Sequence, residues 1–136
     1  MRRYFLDTNM CVYGLHRRMP QVVQRMAQAS EGELVVSTLV AAELAGGVMR
    51  SGRVDANRRA LEIFFGSVTI EGWGADAVWH YGEQAARLRA AGAPIGTIDL
   101  LLACQVLADD DAVVVTHNTR EFERIGGLRL EDWTLA

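Results

Sequence analysis

Short apolar runs alternate along the chain with longer stretches in which apolar residues recur at helical spacing. The runs cover residues 3–6, 33–37, 67–70 and 112–115. The last of them, Ala112–Val115, has no apolar–polar alternation, which is typical of a strand covered on both faces. These four runs predict the strands of a sheet.

Helices are predicted between these strands, over residues 8–15, 20–29, 39–49, 55–65, 75–91 and 97–108. Pro20 suits a first helical turn, Asp55 is placed to cap the fourth helix, and Gly92 with Pro94 ends the fifth. Because strands and helices alternate, the sequence predicts an α/β fold, with a parallel sheet of about four to five strands flanked by helices on both faces. Ligands of such sheets gather at the carboxyl ends of the strands.

Length and composition favour an ordinary globular domain. The 136 residues are 50% hydrophobic and 23% charged, which suits one domain over residues 1–136. The apolar run after Arg2-Arg3 is too short for an export signal, and no stretch approaches a membrane span. We therefore expect a cytoplasmic protein, in which Cys11 and Cys104 stay reduced.

Four acidic residues stand where such a fold would bring them together. Asp7 directly follows the first strand, Glu43 and Asp99 lie in predicted helices, and Glu121 follows the last predicted strand. Converging carboxylates raise one another's pKa unless a cation neutralises them. Since Mg²⁺ prefers oxygen ligands, the pattern indicates a divalent metal site.

Each acid also has a purely structural interpretation. Asp7 could only cap the following helix, Asp99 gains from the helix dipole wherever it points, and Glu43 could simply be solvated. The spacing of Asn118 and Glu121 is that of a capping box. Zinc is disfavoured, because no second histidine or cysteine lies at ligand spacing from His117.

The charged residues exclude some chemistries. All 14 basic residues are arginine, so mechanisms that need a lysine, such as a phosphate loop or a Schiff base, are excluded. The net charge is −3, but without the four acids 13 acidic residues face 14 arginines. The overall charge therefore neither supports nor excludes an RNA partner.

The order and spacing of five segments resemble the PIN-domain ribonucleases, in particular the VapC-type toxins of bacterial toxin–antitoxin modules. These segments are residues 5–9, Ser37 with residues 42–44 and Gly47, residues 92–96 with Asp99, residues 116–122, and residues 127–133. The resemblance implies a PIN-like fold and an endoribonuclease that depends on Mg²⁺ or Mn²⁺. It further implies an RNA substrate, often tRNA, and a small antitoxin that restrains the enzyme. A homodimer or a higher toxin–antitoxin assembly is expected, with DNA bound only through the antitoxin.

The resemblance also assigns site residues. Asp7, Glu43 and Asp99 fall on the metal-binding acids of the family. Many PIN domains have an aspartate where this chain has Asn118, so either Glu121 replaces it or the site works with three acids. Thr116 would position water or metal, and Asn9 and Ser37 are auxiliary candidates.

Two further sets of residues are predicted to bind partners. Arg120, Arg124, Arg17 and Arg18 are candidates for RNA phosphates. Helices 39–49 and 55–65 carry more large apolar residues than one side of a small sheet needs, which indicates an interface. The resemblance implies that Leu61, Phe64 and Phe65 there line a groove for the antitoxin. The alternative is that these side chains complete the core.

Other functions remain open at this point. A phosphotransferase with an aspartate after its first strand is disfavoured by Asn9 and by the absence of lysine. A non-catalytic RNA- or protein-binding module is disfavoured by the presence of all three metal-binding acids. A housekeeping nuclease without an antitoxin is harder to exclude, because the antitoxin contact has no unique motif.

Overall fold

Five parallel strands form the sheet in this computed structural model, which describes residues 1–135. They are β1 (Arg3–Leu6), β2 (Leu34–Ser37), β3 (Thr69–Glu71), β4 (Ala112–Val115) and β5 (Leu130–Glu131). Their order across the sheet is β3-β2-β1-β4-β5. Tyr4 of the central strand pairs with Leu34 on one side and with Val113 on the other.

Within residues 1–135, seven α-helices connect and flank the strands. They are α1 (Thr8–Leu15), α2 (Pro20–Gln28), α3 (Thr38–Met49), α4 (Val54–Phe65), α5 (Val78–Ala91), α6 (Thr97–Leu107) and α7 (Thr119–Phe122), and a 3₁₀ turn (Ala75–Ala77) precedes α5. Residues of β1, β2 and β4 form the centre of the core, with Phe5, Val35 and Val114 fully buried. The helices of residues 1–135 include none that is long and apolar enough to cross a bilayer.

The strand order explains why the site lies where it does. The chain goes from β1 outward to β2 and β3, then returns past β1 to β4 and ends at β5. With right-handed crossovers, this reversal places the helices before and after it on opposite faces of the sheet. The carboxyl ends of β1 and β4 flank the reversal, which is the usual ligand-binding position in such sheets. Asp7 and Thr116 immediately follow these two strands.

Most predicted elements are confirmed, including the end of α5 at Gly92, which adopts the left-handed conformation with φ of 64°. The predicted strand 67–70 lies slightly later, at Thr69–Glu71. The predicted capping by Asp55 is wrong, because α4 begins one residue earlier and Asp55 lies inside its first turn. Strand β5 was not predicted, since two residues are too few for a detectable pattern.

Candidate active site

Asp7 is held rigidly at the end of β1. Its Oδ1 accepts a hydrogen bond of 2.9 Å from the backbone N–H of Met10, which caps helix α1. Its Oδ2 accepts a bond of 2.5 Å from the hydroxyl of Thr116. Burial raises the pKa of Asp7, although the donors on Thr116 and Met10 oppose the shift. The predicted cap is therefore confirmed, and the same carboxylate also lies at the ligand-binding edge of the sheet.

Thr116 connects the ends of β1 and β4. It is fully buried, its hydroxyl donates to Asp7, and the same oxygen accepts a bond of 2.9 Å from the backbone N–H of Asn118. Both hydrogen-bonding functions of the hydroxyl are thus used within the protein. Thr116 consequently fixes the orientation of the Asp7 carboxylate.

Asn118 and Glu121 bind each other directly. The side-chain amide of Asn118 donates a bond of 2.6 Å to Glu121 Oε2. Asn118 stands at the N-cap position of α7, but its side chain makes no capping hydrogen bond. The capping-box interpretation is therefore wrong, because the two side chains pair with each other instead of with the helix backbone.

Asp99 lies near enough to the other three acids for their charges to act on it. It lies half-buried in the first turn of α6. Burial raises its pKa to about 6, and the negative charges of Asp7, Glu121 and Glu43 add to the shift. The Asn118 amide opposes the shift. Three acids on other elements thus act on one carboxyl group.

Glu43 approaches this region from helix α3. Its Oε1 accepts a bond of 2.5 Å from the hydroxyl of Thr8, the first residue of α1. Ser37 supports this arrangement indirectly, because its hydroxyl caps α3 by accepting a bond of 3.1 Å from the N–H of Leu39. Asn9 is exposed near the start of α1.

The donor set fits a hard divalent cation. With the present side-chain orientations, residues 1–135 contain no group of three aspartate, glutamate, histidine or cysteine side chains that lies close enough together to hold an ion. Glu43 and Glu121 are instead turned toward Thr8 and Asn118. Mg²⁺ usually takes one or two carboxylates directly and keeps several waters, so a full carboxylate cage is not required. Burial raises the pKa of Asp99 most and the neighbouring acids add to the shift, and a bound cation would oppose both effects.

The predicted phosphate-binding arginines do not form one group. Arg17 lines a groove with Leu34, the first residue of β2, at the end of α1 opposite Asp7. Helix α1 has 8 residues, which separates its two ends by about 12 Å. Arg17 and its neighbour Arg18 therefore lie away from the acids, and their role in binding RNA phosphates stays a prediction.

Arg124 has a structural partner, whereas Arg120 is exposed next to Glu121. The Arg124 guanidinium donates a bond of 2.7 Å to the carbonyl of Pro94, in the segment that leads into α6. The Arg124 carbonyl in turn accepts a hydrogen bond from Arg87. Arg124, which follows α7, therefore connects this part of the chain to the segment before Asp99. The assignment of Arg120 and Arg124 to RNA phosphates stays a prediction.

The predicted apolar groove is only partly formed. Phe65 lines a groove between α3 and α4 together with Val48, Met49 and the buried Leu61. Phe64 faces a different groove, on the side of α1 and α2. The prediction that both phenylalanines share one groove is wrong, because consecutive helical residues point about 100° apart.

The sequence is similar to a known domain family and to ribonucleases of other bacteria. The PIN domain family model matches residues 4–128. The tRNA(fMet)-specific endonuclease VapC of Shigella flexneri is 33% identical over 134 residues, which cover 98% of this chain and 100% of the relative. Ribonuclease VapC2 of Rickettsia felis is 36% identical over 131 residues, 96% of this chain and 97% of the relative.

Solved structures agree with the sequence comparison. In the crystal structure of DNA-bound VapBC from Salmonella typhimurium, the matching chain superposes with a TM-score of 0.90 at 31% identity and covers 98% of this chain and 99% of its own length. The chain belongs to the PIN-domain family, and within it to the VapC ribonucleases. The fold and the family expected from the residues are thereby confirmed.

Proposed function

We propose that this chain is a metal-dependent endoribonuclease toxin that hydrolyses RNA phosphodiester bonds and is neutralised by a cognate VapB-type antitoxin. The observation that carries the proposal is the electrostatic coupling of Asp99 to Asp7, Glu43 and Glu121 at the carboxyl edge of a PIN-domain sheet. The chain over residues 1–136 acts as a single domain.

The proposed catalytic residues have separate roles. Asp7 and Asp99 would hold the divalent ion, Mg²⁺ or Mn²⁺, and Glu43 and Glu121 would contact it directly or through water. A bound ion of this kind lowers the pKa of a water molecule and polarises the phosphodiester. Thr116 keeps the Asp7 carboxylate aimed, and Asn118 does the same for Glu121. A protein nucleophile is not needed.

The substrate is an RNA, and a structured RNA such as tRNA is the leading candidate. The relative from Shigella flexneri is named as a tRNA(fMet)-specific endonuclease, which supports this choice. Exposed Arg120 is available for an RNA phosphate next to Glu121.

The partner is a small antitoxin. The structures from Rickettsia felis and Salmonella typhimurium are VapBC complexes bound to DNA, which supports an antitoxin that also carries the DNA contact. The apolar groove that contains Phe65 and Leu61 suits an amphipathic antitoxin helix. A cytoplasmic homodimer, assembled further with the antitoxin, is the proposed form in the cell.

The test is cleavage of total RNA by the purified protein with Mg²⁺, with Mn²⁺ or with EDTA, followed by mapping of the cut ends. We expect discrete cuts that need the metal and that disappear in Asp99→Asn. Cleavage that persists in EDTA, or undiminished cleavage by Asp99→Asn at matched Mg²⁺, would contradict the proposal.

A further inference from the structure

A cleft leads away from the proposed active site between helices α1, α3 and α4. Thr8 and Glu43 form its inner end, and Val12, Leu44 and Val48 contribute apolar walls. The cleft encloses about 350 Å³, within the usual range for sites that bind small organic groups. Because Thr8 and Glu43 belong to both, the cleft is continuous with the acidic site. We refer to it as the α1–α3 cleft.

The outer end of the α1–α3 cleft is polar. The Asn57 amide donates a bond of 2.9 Å to the Ser51 hydroxyl, which itself donates a bond of 2.6 Å to the carbonyl of Val48. These two bonds hold the Asn57 side chain in place. Within residues 1–135, the second amide N–H and the Oδ1 oxygen of Asn57 form no hydrogen bond and are available to another partner. A donor beside an acceptor is the arrangement with which asparagine binds the edge of a nucleobase.

A positive charge lies at the same end. Arg50 lines the cleft, and within the part of the chain that the structure describes its guanidinium forms no ion pair. The cleft follows α1 from Thr8 to His16, which corresponds to about 12 Å along the helix. A nucleotide whose phosphate lies at the acids can therefore extend its base toward Asn57.

We propose that the α1–α3 cleft binds the unpaired nucleobase next to the scissile phosphate, with Asn57 contacting the base edge. This inference rests on the proposed ribonuclease function and adds a specificity site to it. An RNA base is favoured over a protein side chain because the cleft opens from the phosphodiester site and combines apolar walls with a fixed amide and an unpaired cation at its outer end. The groove with Phe65 adjoins the cleft, because Val48 and Leu61 line both. It extends from there to Met49 and Phe65, which is the part that we assign to the antitoxin.

Gly47→Leu is the substitution that fills the cleft with least harm to the fold. Gly47 lies in α3 and lines the cleft, and a Cβ atom added there meets nothing within 4 Å. Leucine also favours a helix more than glycine does. We expect the variant to fold, by circular dichroism and thermal melting, and to show kcat/KM for RNA reduced by about tenfold or more, the usual size of base-edge recognition.

Asn57→Ala tests the base contact itself. We expect it to keep the metal-dependent cuts but to lose the base preference at one position beside the cut, measured by mapping the ends produced from total RNA. The control for Gly47→Leu is Ala56→Leu, which also introduces a leucine, but on the exposed side of α4. It should cleave RNA like the wild type. Co-purification with the antitoxin is measured for all three variants.

The outcomes separate this inference from the proposed function. If the wild type shows no metal-dependent cleavage, the ribonuclease function fails and the inference fails with it. If the wild type cleaves, but Gly47→Leu and Asn57→Ala keep its kcat/KM and its cut ends, only the nucleobase site is overturned. If Gly47→Leu releases the antitoxin while its cleavage is unchanged, the cleft belongs to the protein partner and the inference is also overturned. Should Gly47→Leu fail to fold, the base preference of Asn57→Ala decides alone.

Discussion

Asp99→Asn removes a carboxylate that the folded protein disfavours in its charged form. The pKa of Asp99 is about 6 in the folded protein, against an ordinary value of 3.8, mainly because of burial and then because of the three neighbouring acids. A difference of this size would correspond to about 3 kcal/mol for a fully shielded group. Because Asp99 is only half-buried, solvent screening reduces the effect, and about 1 kcal/mol is the expected scale.

The direction of the pH dependence follows from the raised pKa. Between about pH 4 and pH 6 the folded state binds more protons than the unfolded state, so the wild type loses stability as the pH rises through this window. Asparagine has no such titration. In EDTA, Asp99→Asn is therefore expected to match the wild type near pH 4 and to exceed it above pH 7.

Thermal and urea unfolding at pH 4, 6 and 8 measure this difference. For a domain of this length, about 1 kcal/mol raises the melting temperature by about 2 to 6 °C. Added Mg²⁺ should stabilise the wild type more than the variant and narrow the gap, because the ion binds the folded state. Asp110→Asn, which changes an exposed acid outside the site, is the control. A gap of equal size at pH 4 and pH 8, or a variant less stable than the wild type at pH 8, would refute the reasoning.

Five other substitutions, at four positions, test the remaining residues. Thr116→Val removes the buried hydroxyl that donates to Asp7, and it should lower the free energy of unfolding, measured in urea, by about 1 to 3 kcal/mol. Thr116→Ser keeps a hydroxyl and should lose much less. Equal stability of the wild type and both variants would contradict a stabilising role of this bond. Glu121→Gln keeps an acceptor for the Asn118 amide, so we expect an unchanged melting temperature. Cleavage of RNA should be weak and should be partly restored by higher Mg²⁺. Full activity at low Mg²⁺ would assign Glu121 a purely structural role. Phe65→Glu should fold and cleave RNA but no longer co-purify with the antitoxin, whereas Phe64→Glu, which faces another groove, should retain it; the reverse result would move the antitoxin site.

The sequence was sufficient to predict the fold, whereas the convergence of the four acids on one metal stays a prediction. Buried strands without alternation and helices with clear end signals are local patterns, and the rule for parallel sheets then brings Asp7 and the residues after β4 to one edge. The raised pKa of Asp99 agrees with this prediction. Strand β5 escaped detection because a two-residue strand is defined only by its pairing with β4.

Side-chain partners could not be predicted in the same way. Arg124 reaches Pro94, which lies 30 residues away, and Thr8 reaches Glu43, 35 residues away. Such contacts depend on how the helices pack and on which rotamers remain free, and neither is encoded in the spacing of residues along the chain. The same limit applies to Asn57, which gains significance only because the cleft ends there.

The double role of Asp7 has a consequence for genetics. One of its oxygens holds helix α1 and the other holds Thr116, so a change to alanine removes a helix cap together with a buried hydrogen bond. Among cells selected to survive expression of this gene, Asp7 alleles should therefore contain little protein. Asp99 alleles should contain inactive protein at normal abundance, because within residues 1–135 Asp99 does not cap a helix as Asp7 does. Immunoblots of such survivors would separate the two kinds of null allele, and treating them as equivalent would confuse loss of the polypeptide with loss of its chemistry.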